Sequence, residues 1–320
     1  MTPCDLRDAV DRELAYRGIR EDHPAWPSTQ RHKAIPGDPD DLPLLTRLAA
    51  RMEPAARRAF LAAVRGAVGV VDIGALAEAV SSGQMSQIEA AAQLGKLSAD
   101  LRREIMPVLG RTFSLGVAVG IEAVPGGGPA ISYGFDLTNP EAIAWVQGHG
   151  AELVAEVTDG TRAAIRSLVD VAFREGIAPR SLARDIREVI GLHSRQVDAV
   201  QNFRERLTAD GVDAAAVDRR TARYADAQLR YRAKNVARTE TLTASNEGQQ
   251  QLWQAARAQG LLDPAKTRRV WIATHDDRLD TEICEPLDET EAPLDGPFKG
   301  DIMRPPAHPM CRCSTGLIFK

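Results

Sequence analysis

Residues 214–259 read AAAVDRRTARYADAQLRYRAKNVARTETLTASNEGQQQLWQAARAQ. The stretch holds no proline and one internal glycine, Gly248. It is rich in Ala and Arg, which cost little in a helix. It therefore predicts the longest helix of the chain, with candidate breaks at Gly248 or among the β-branched residues of Thr239–Thr243. Thr239, Thr241, Thr243, Ser245 and Asn246 are poor helix formers, so a helix that keeps them does so for packing or for a contact. Glu240, Ala244 and Gly248 fall four apart on one face, where small residues admit another backbone; Arg238, Leu242 and Asn246 line another face.

Upstream, the same periodicity predicts helices over Leu44–Val68 and from a capping box at Ser86-Gln87-Ile88-Glu89 to about Met106, where Pro107 interrupts or bends the chain. Residues 112–124 are small and apolar and lean to helix. Val124-Pro125-Gly126-Gly127-Gly128-Pro129 is the best boundary. Asn139-Pro140 starts a new helix, which Gly148 and Gly150 loosen, and a longer helix runs to about Glu175 and stops at Gly176. Ser181–Ile190 and Ser194–Leu207 are shorter helices, ended by Gly191 and Gly211. Residues 5–17 predict a short helix, and residues 23–43, with His23-Pro24 and Pro36-Gly37, a linker or surface arm.

After residue 265 the character changes. Arg269-Val270-Trp271-Ile272-Ala273-Thr274 is a strand signal, a long acidic loop follows, and Leu317-Ile318-Phe319 is placed to pair back. The fold class is mainly α. A helical N-terminal region (1–125, with the Pro-rich arm at 23–43) precedes a helical core (130–265). The chain closes in a small α+β subdomain (266–320) of short antiparallel strands and a Cys/His-rich loop.

The chain has 320 residues and a net charge of -4, with 44% hydrophobic and 5% aromatic residues. It is not a polycation built to coat nucleic acid. No membrane-spanning run is expected, and Asp5, Asp8 and Asp11 stand where a secretory signal would be apolar. The charge is uneven. Seven basic residues face one acidic residue between Arg219 and Arg238. Arg219, Arg220, Arg223 and Arg230 are candidate DNA contacts; the competing reading is a solvated helix face. Ten acidic residues face two basic ones between Asp276 and Asp301. There His275, Asp276 and Asp277 offer ligands for a metal-dependent hydrolase such as a nuclease, against the plainer reading of a solvated loop and no enzyme activity.

Three of the four cysteines lie near the end. Cys284, His308, Cys311 and Cys313 match a structural zinc site in number and type. In extended chain Cys311 and Cys313 point to the same side. Buried, apolar free cysteines and a disulfide remain open alternatives.

Two motifs resemble those of the phage head morphogenesis family, the Mu F-like minor head proteins. One is Arg232-Ala233-x-x-Val236-Ala237-Arg238-Thr239-Glu240-Thr241-x-x-Ala244-x-Asn246-x-Gly248. The other is Trp271, Asp277-Arg278, Cys284 and the closing run Pro305 through Cys313. Phe135–Pro140 and the stretch from Gly176 to the Gly191-Leu192 turn are also similar, so the resemblance covers about 130–320. The departure is Leu287, where the family commonly has a second cysteine. The resemblance implies a low-copy head component of the virion, in the head interior or at the portal vertex, assembled in the bacterial host cytoplasm. The implied partners are the portal protein, major capsid or scaffold proteins and phage DNA, with a part in DNA packaging or delivery. It also implies that Arg238, Thr239, Glu240, Asn246, Gly248, Trp271, Asp277 and Arg278 serve packing or partner contact.

Overall fold

The computed structural model describes residues 43–125, 139–276 and 278–320. The expected helix at 5–17, the arm at 23–42, the glycine run after Pro125, the stretch 135–138, and Cys4 and Asp277 lie outside the described residues. Among the described residues there are eight α-helices and three strands. They run in the order α1 (Leu44–Gly69), α2 (Ile73–Ser82), α3 (Met85–Ala91), α4 (Leu94–Glu122), α5 (Pro140–Glu175), α6 (Pro179–Val189), α7 (Ser194–Ala209), α8 (Ala214–Ala258), β1 (Thr267–Ile272), β2 (Glu291–Pro293) and β3 (Ser314–Phe319). The fold is mainly α with a small antiparallel sheet at the C-terminal end, as the sequence predicts.

Several boundaries follow local chemistry. Asn139 Oδ1 accepts from the backbone N–H groups of Glu141 and Ala142, capping α5. Gly176, Gly191 and Gly211 end their segments at positive φ, where a side chain would be strained. Three expectations need correcting. The capping box at Ser86 does not form. Gln84 is the N-cap of α3 and Ser86 lies inside the helix, while Glu89 is drawn to Arg162 and Arg166 of α5 at 2.9 Å each. The expected helix to Met106 is instead α3, a turn at Gln93 with φ of 61°, and α4. Pro107 does not stop α4, which runs on to Glu122. Finally, α8 breaks neither at Thr239–Thr243 nor at Gly248.

The described chain divides into two compact units that do not follow chain order. The first takes residues up to Ala56, Pro107–Gln147 and Ala237–Lys320; the second takes Arg57–Met106 and Gly148–Val236. In the first, the C-terminal part of α8 is buried almost all round from Thr241 to Gln250. It packs against α4 at unusually short range. A Cβ on Gly116 would lie 1.8 Å from the Ser245 carbonyl oxygen, and one on Gly248 2.1 Å from that of Phe113. Only glycine permits this crossing. The polar side chains answer the burial locally. Thr241 donates to the Ala237 carbonyl, Thr243 to Thr239, and Asn246 to Leu242, all within 2.9 Å. By length and composition α4 is apolar enough to cross a membrane, but 61% of its most apolar window is buried, as in a core helix. Its Phe113 and Val117 join Leu252, Trp253 and Leu317 in one apolar cluster.

The sheet order is β2-β1-β3, with β1 antiparallel to both neighbours. β3 pairs back as expected, with Arg269 opposite Leu317 and Trp271 opposite Thr315. Thr267, Arg269 and Trp271 face inward on β1. Arg269 is fully buried. Its guanidinium donates to Gln250 Oε1 at 2.8 Å and to the carbonyls of Pro293 at 3.0 Å, Met303 at 2.8 Å and Gly296. One cation thus ties α8, β2 and the following loop together.

In the second unit, Arg232 of α8 donates to the Gly191 carbonyl at 2.8 Å. Arg204 of α7 meets Asp185 at 2.8 Å, Asp218 at 3.0 Å and Glu188 at 3.9 Å. Burial first, then the neighbouring Asp185 carboxylate, pushes the Glu188 carboxyl up to about 7.

Candidate metal centre

Beneath the sheet, Trp271, Ala273, Cys284, Leu287, Ala292, Phe298, Cys311 and Cys313 form a small buried cluster. Trp271 and Phe298 meet edge to face at 5.3 Å. The turn before Cys284 is built by Asp280. Its carboxylate accepts from the N–H groups of Glu282 and Ile283, and its carbonyl accepts from Cys284. This turn sends Cys284 inward while the acidic side chains beside it stay outside. Cys311 and Cys313 reach the same point from the short segment that leads into β3.

The sulfur atoms of Cys284, Cys311 and Cys313 lie within 4.8 Å of one another, all on buried residues. Cys284 Sγ stands 3.7 Å from Cys311 Sγ and 3.1 Å from His308 Nε2. The three are free thiols, far beyond the roughly 2.05 Å of a disulfide. In a tetrahedral thiolate site with metal–sulfur bonds of about 2.3 Å, sulfur atoms stand about 3.8 Å apart. His308 Nδ1 lies 2.9 Å from the Pro309 carbonyl. A proton held there leaves Nε2 as an acceptor beside Cys284 Sγ, but the metal-sized group is the three cysteines, and His308, expected as a fourth ligand, is not part of it. The Cys313 N–H points at Cys311 Sγ at 3.5 Å, a donor suited to a sulfur that carries negative charge. The thiols differ accordingly. Cys284 and then Cys313 donate to Cys311 and drive its thiol well below the usual range, while donation toward Cys311 drives Cys284 far above it. Three buried thiols that converge on one point form a donor set that can hold a metal.

The other predicted residues fall as follows. Arg238 makes two bonds to Glu53 of α1, at 2.9 and 3.3 Å. Thr239 Oγ1 accepts from the Met310 N–H at 3.3 Å. Glu240 is half-buried, and Asn246 is buried. Gly248 makes the close approach to α4, and Trp271 fills the core under the sheet. Arg278 lines the opening above the thiols with Leu279 and Asp280. Leu287, in the place of an expected cysteine, is buried in the same apolar cluster. Asp276 does not face the thiols; it is ion-paired with Arg312. His275 Nε2 sits 2.6 Å from Asp288 Oδ2, and Asp288 also accepts from the Ala273 N–H at 2.8 Å. Among the described residues the acidic loop forms no metal-sized group of its own. Arg219, Arg220, Arg223 and Arg230 are exposed on α8 in the second unit, and Arg230 pairs with Asp226 at 2.6 Å.

Sequence reasoning missed Arg269, Thr46, Thr274 and Asp288. Arg269 carried a signal, a charge at an inward position of an otherwise apolar strand. The threonines carried none.

Residues 163–316 match the model of a family described as Phage Mu protein F like protein. The match takes in the later part of α5, all of α8 and every residue of the thiol site, and it agrees with the resemblance read over about 130–320. The chain matches no curated protein and no solved structure.

Proposed function

Taking as premise that residues 163–316 are a Mu F-like segment, we propose that the chain is a minor head protein of a tailed phage, acting in head morphogenesis. It enters the growing head with the portal and assists DNA packaging or delivery, and it resides in the virion. The family match is the observation that carries this reading. The buried helix crossing and the Arg269 hub suit a protein whose task is to hold shape and present surfaces.

The thiol site has a structural part in this reading. Cys284, Cys311 and Cys313 would hold one zinc ion, which supplies cross-linking of the turn after β1 to the segment before β3. Such a bond adds its binding free energy to the folded state of the segments it joins. Purified protein carries about one zinc per chain if this is right, and a chelator lowers its melting temperature. Metal-free protein with an unchanged melt overturns it.

The assembly role is tested in particles. Heads made with and without the portal are purified and the copy number of this chain is measured. Copies that vanish without the portal support the proposal; an equal number in both refutes portal-linked entry. A second reading has one observation behind it. The exposed face of α8 carries Arg219, Arg220, Arg223 and Arg230 close together, which suits phosphate contact during packaging. Binding to duplex DNA then falls steeply with salt and is lost when these four become alanine.

A further inference from the structure

The geometry points to Thr46, Thr239 and Thr274 as positioning residues for the metal loop, an inference that rests on the zinc reading above. None of the three is placed to ligate. Each holds the backbone that carries the ligands. Arg312 stands between Cys311 and Cys313, and its carbonyl oxygen accepts two hydroxyl donors, Thr46 at 3.0 Å and Thr274 at 2.7 Å. Both lone pairs of that oxygen are therefore used, from two different elements. Met310, just before Cys311, has φ of 66°, a conformation costly for a residue with a side chain. Its N–H is received by Thr239 Oγ1 at 3.3 Å.

The three hydroxyls come from α1, from α8 and from the segment after β1. Their relative placement is fixed in turn. Arg238, next to Thr239, is bonded twice to Glu53 of α1, and the Arg312 side chain is ion-paired with Asp276, two residues after Thr274. A loop held at Met310 and at Arg312 has little freedom to turn Cys311 or Cys313 away from Cys284. The Arg238-Thr239 pair, read from sequence as a packing or partner contact, thus acts on the metal loop. Such outer groups typically govern metal affinity by about ten- to a hundredfold.

The test uses the full chain with zinc and cobalt(II) as probes. T239V, T46V and the double variant T46V/T274V remove hydroxyls at nearly constant volume; T239S keeps one. Zinc affinity is measured by competition with a chromophoric chelator, and circular dichroism reports the fold. The expected result is an affinity about tenfold weaker in T239V and weaker still in the double variant, with T239S close to wild type. The thiolate-to-cobalt charge-transfer band weakens and the d–d bands shift in the valine variants. If the double variant does not fold, T46V and T239V decide, since each leaves the Arg312 carbonyl at least one donor. Folded valine variants with wild-type affinity and an unchanged cobalt spectrum overturn the positioning role alone. A wild-type chain that binds neither metal overturns the zinc reading, and the positioning role with it.

Discussion

The crossing of α4 and α8 makes one substitution act with opposite signs at two places. Gly248→Ala puts a methyl carbon 2.1 Å from the Phe113 carbonyl oxygen, where ordinary contact begins near 3.4 Å. The obstacle is backbone, so no side chain can swing aside and the helices must part by about an ångström. A gap of that size forfeits a quarter to a half of each dispersion contact across it. Phe113, Val117, Leu252 and Trp253 all pack at this seam. Overpacking of this kind costs about 3 kcal/mol or somewhat more. Alanine returns about 1 kcal/mol through its better helix propensity, leaving a net loss of about 2 kcal/mol or more. Gly148→Ala, in the interior of α5, meets nothing within 4 Å and keeps the whole propensity gain. At about 2 °C per kcal/mol for a chain of this size, thermal melts followed by circular dichroism should fall by about 4 °C or more for Gly248→Ala. They should rise by up to about 2 °C for Gly148→Ala. A Gly248→Ala protein that melts at or above wild type would refute the close crossing.

Arg269→Met leaves Gln250 Oε1 and the carbonyls of Pro293, Gly296 and Met303 without their donor. A loss of about 3–5 kcal/mol follows, read by urea unfolding monitored through the buried Trp253 and Trp271; Arg269→Lys recovers only part of it, because an ammonium cannot reach four acceptors in one plane. Glu188 gives a pH signature. Its folded value, pushed up to about 7 by burial and then by Asp185, lies above its ordinary unfolded value. The folded state therefore binds the extra proton. Its contribution is fully present below about pH 4.5 and lost as pH rises through 7. Glu188→Gln should stabilise the protein at pH 8 by about 1–3 kcal/mol and leave it nearly unchanged at pH 4.5; equal effects at both values would show that the carboxyl is not held in the protonated form.

Much of the helical framework is legible because its signals are local. Asn139-Pro140, Gly176, Gly191 and Gly211 act through their own backbone angles and nearest N–H groups, so their positions in the chain suffice. Ser86 shows the limit of the same reasoning. A capping box needs a free helix start, and here Gln84 opens the helix while Glu89 is taken by two arginines of α5, more than seventy residues away. Pro107 and Gly248 mislead for a related reason. Propensity argues for a break at each, but the apolar cluster around Phe113, Val117 and Trp253 holds α4 and α8 continuous. The candidate site was legible in its cysteines, since three of them in a short C-terminal stretch stand out in any chain, and the structure brings all three together. Its supporting shell was not.

The sequence by itself determined a mainly helical chain, an antiparallel return of the last strand, and a Cys/His cluster inside a segment that matches the Mu F-like family. Each of these is written in periodicity, in turn chemistry or in residue type at short spacing. The tertiary structure alone decided that α4, through Gly116, is the backbone that the Gly248 face admits, that Arg269 is a buried hub, and that Thr46 and Thr274 share the Arg312 carbonyl. Thr46 and Arg312 are 266 residues apart. A threonine in a helix looks the same in sequence whether its hydroxyl faces water or a distant carbonyl. Only the packing that brings the two together gives it a role.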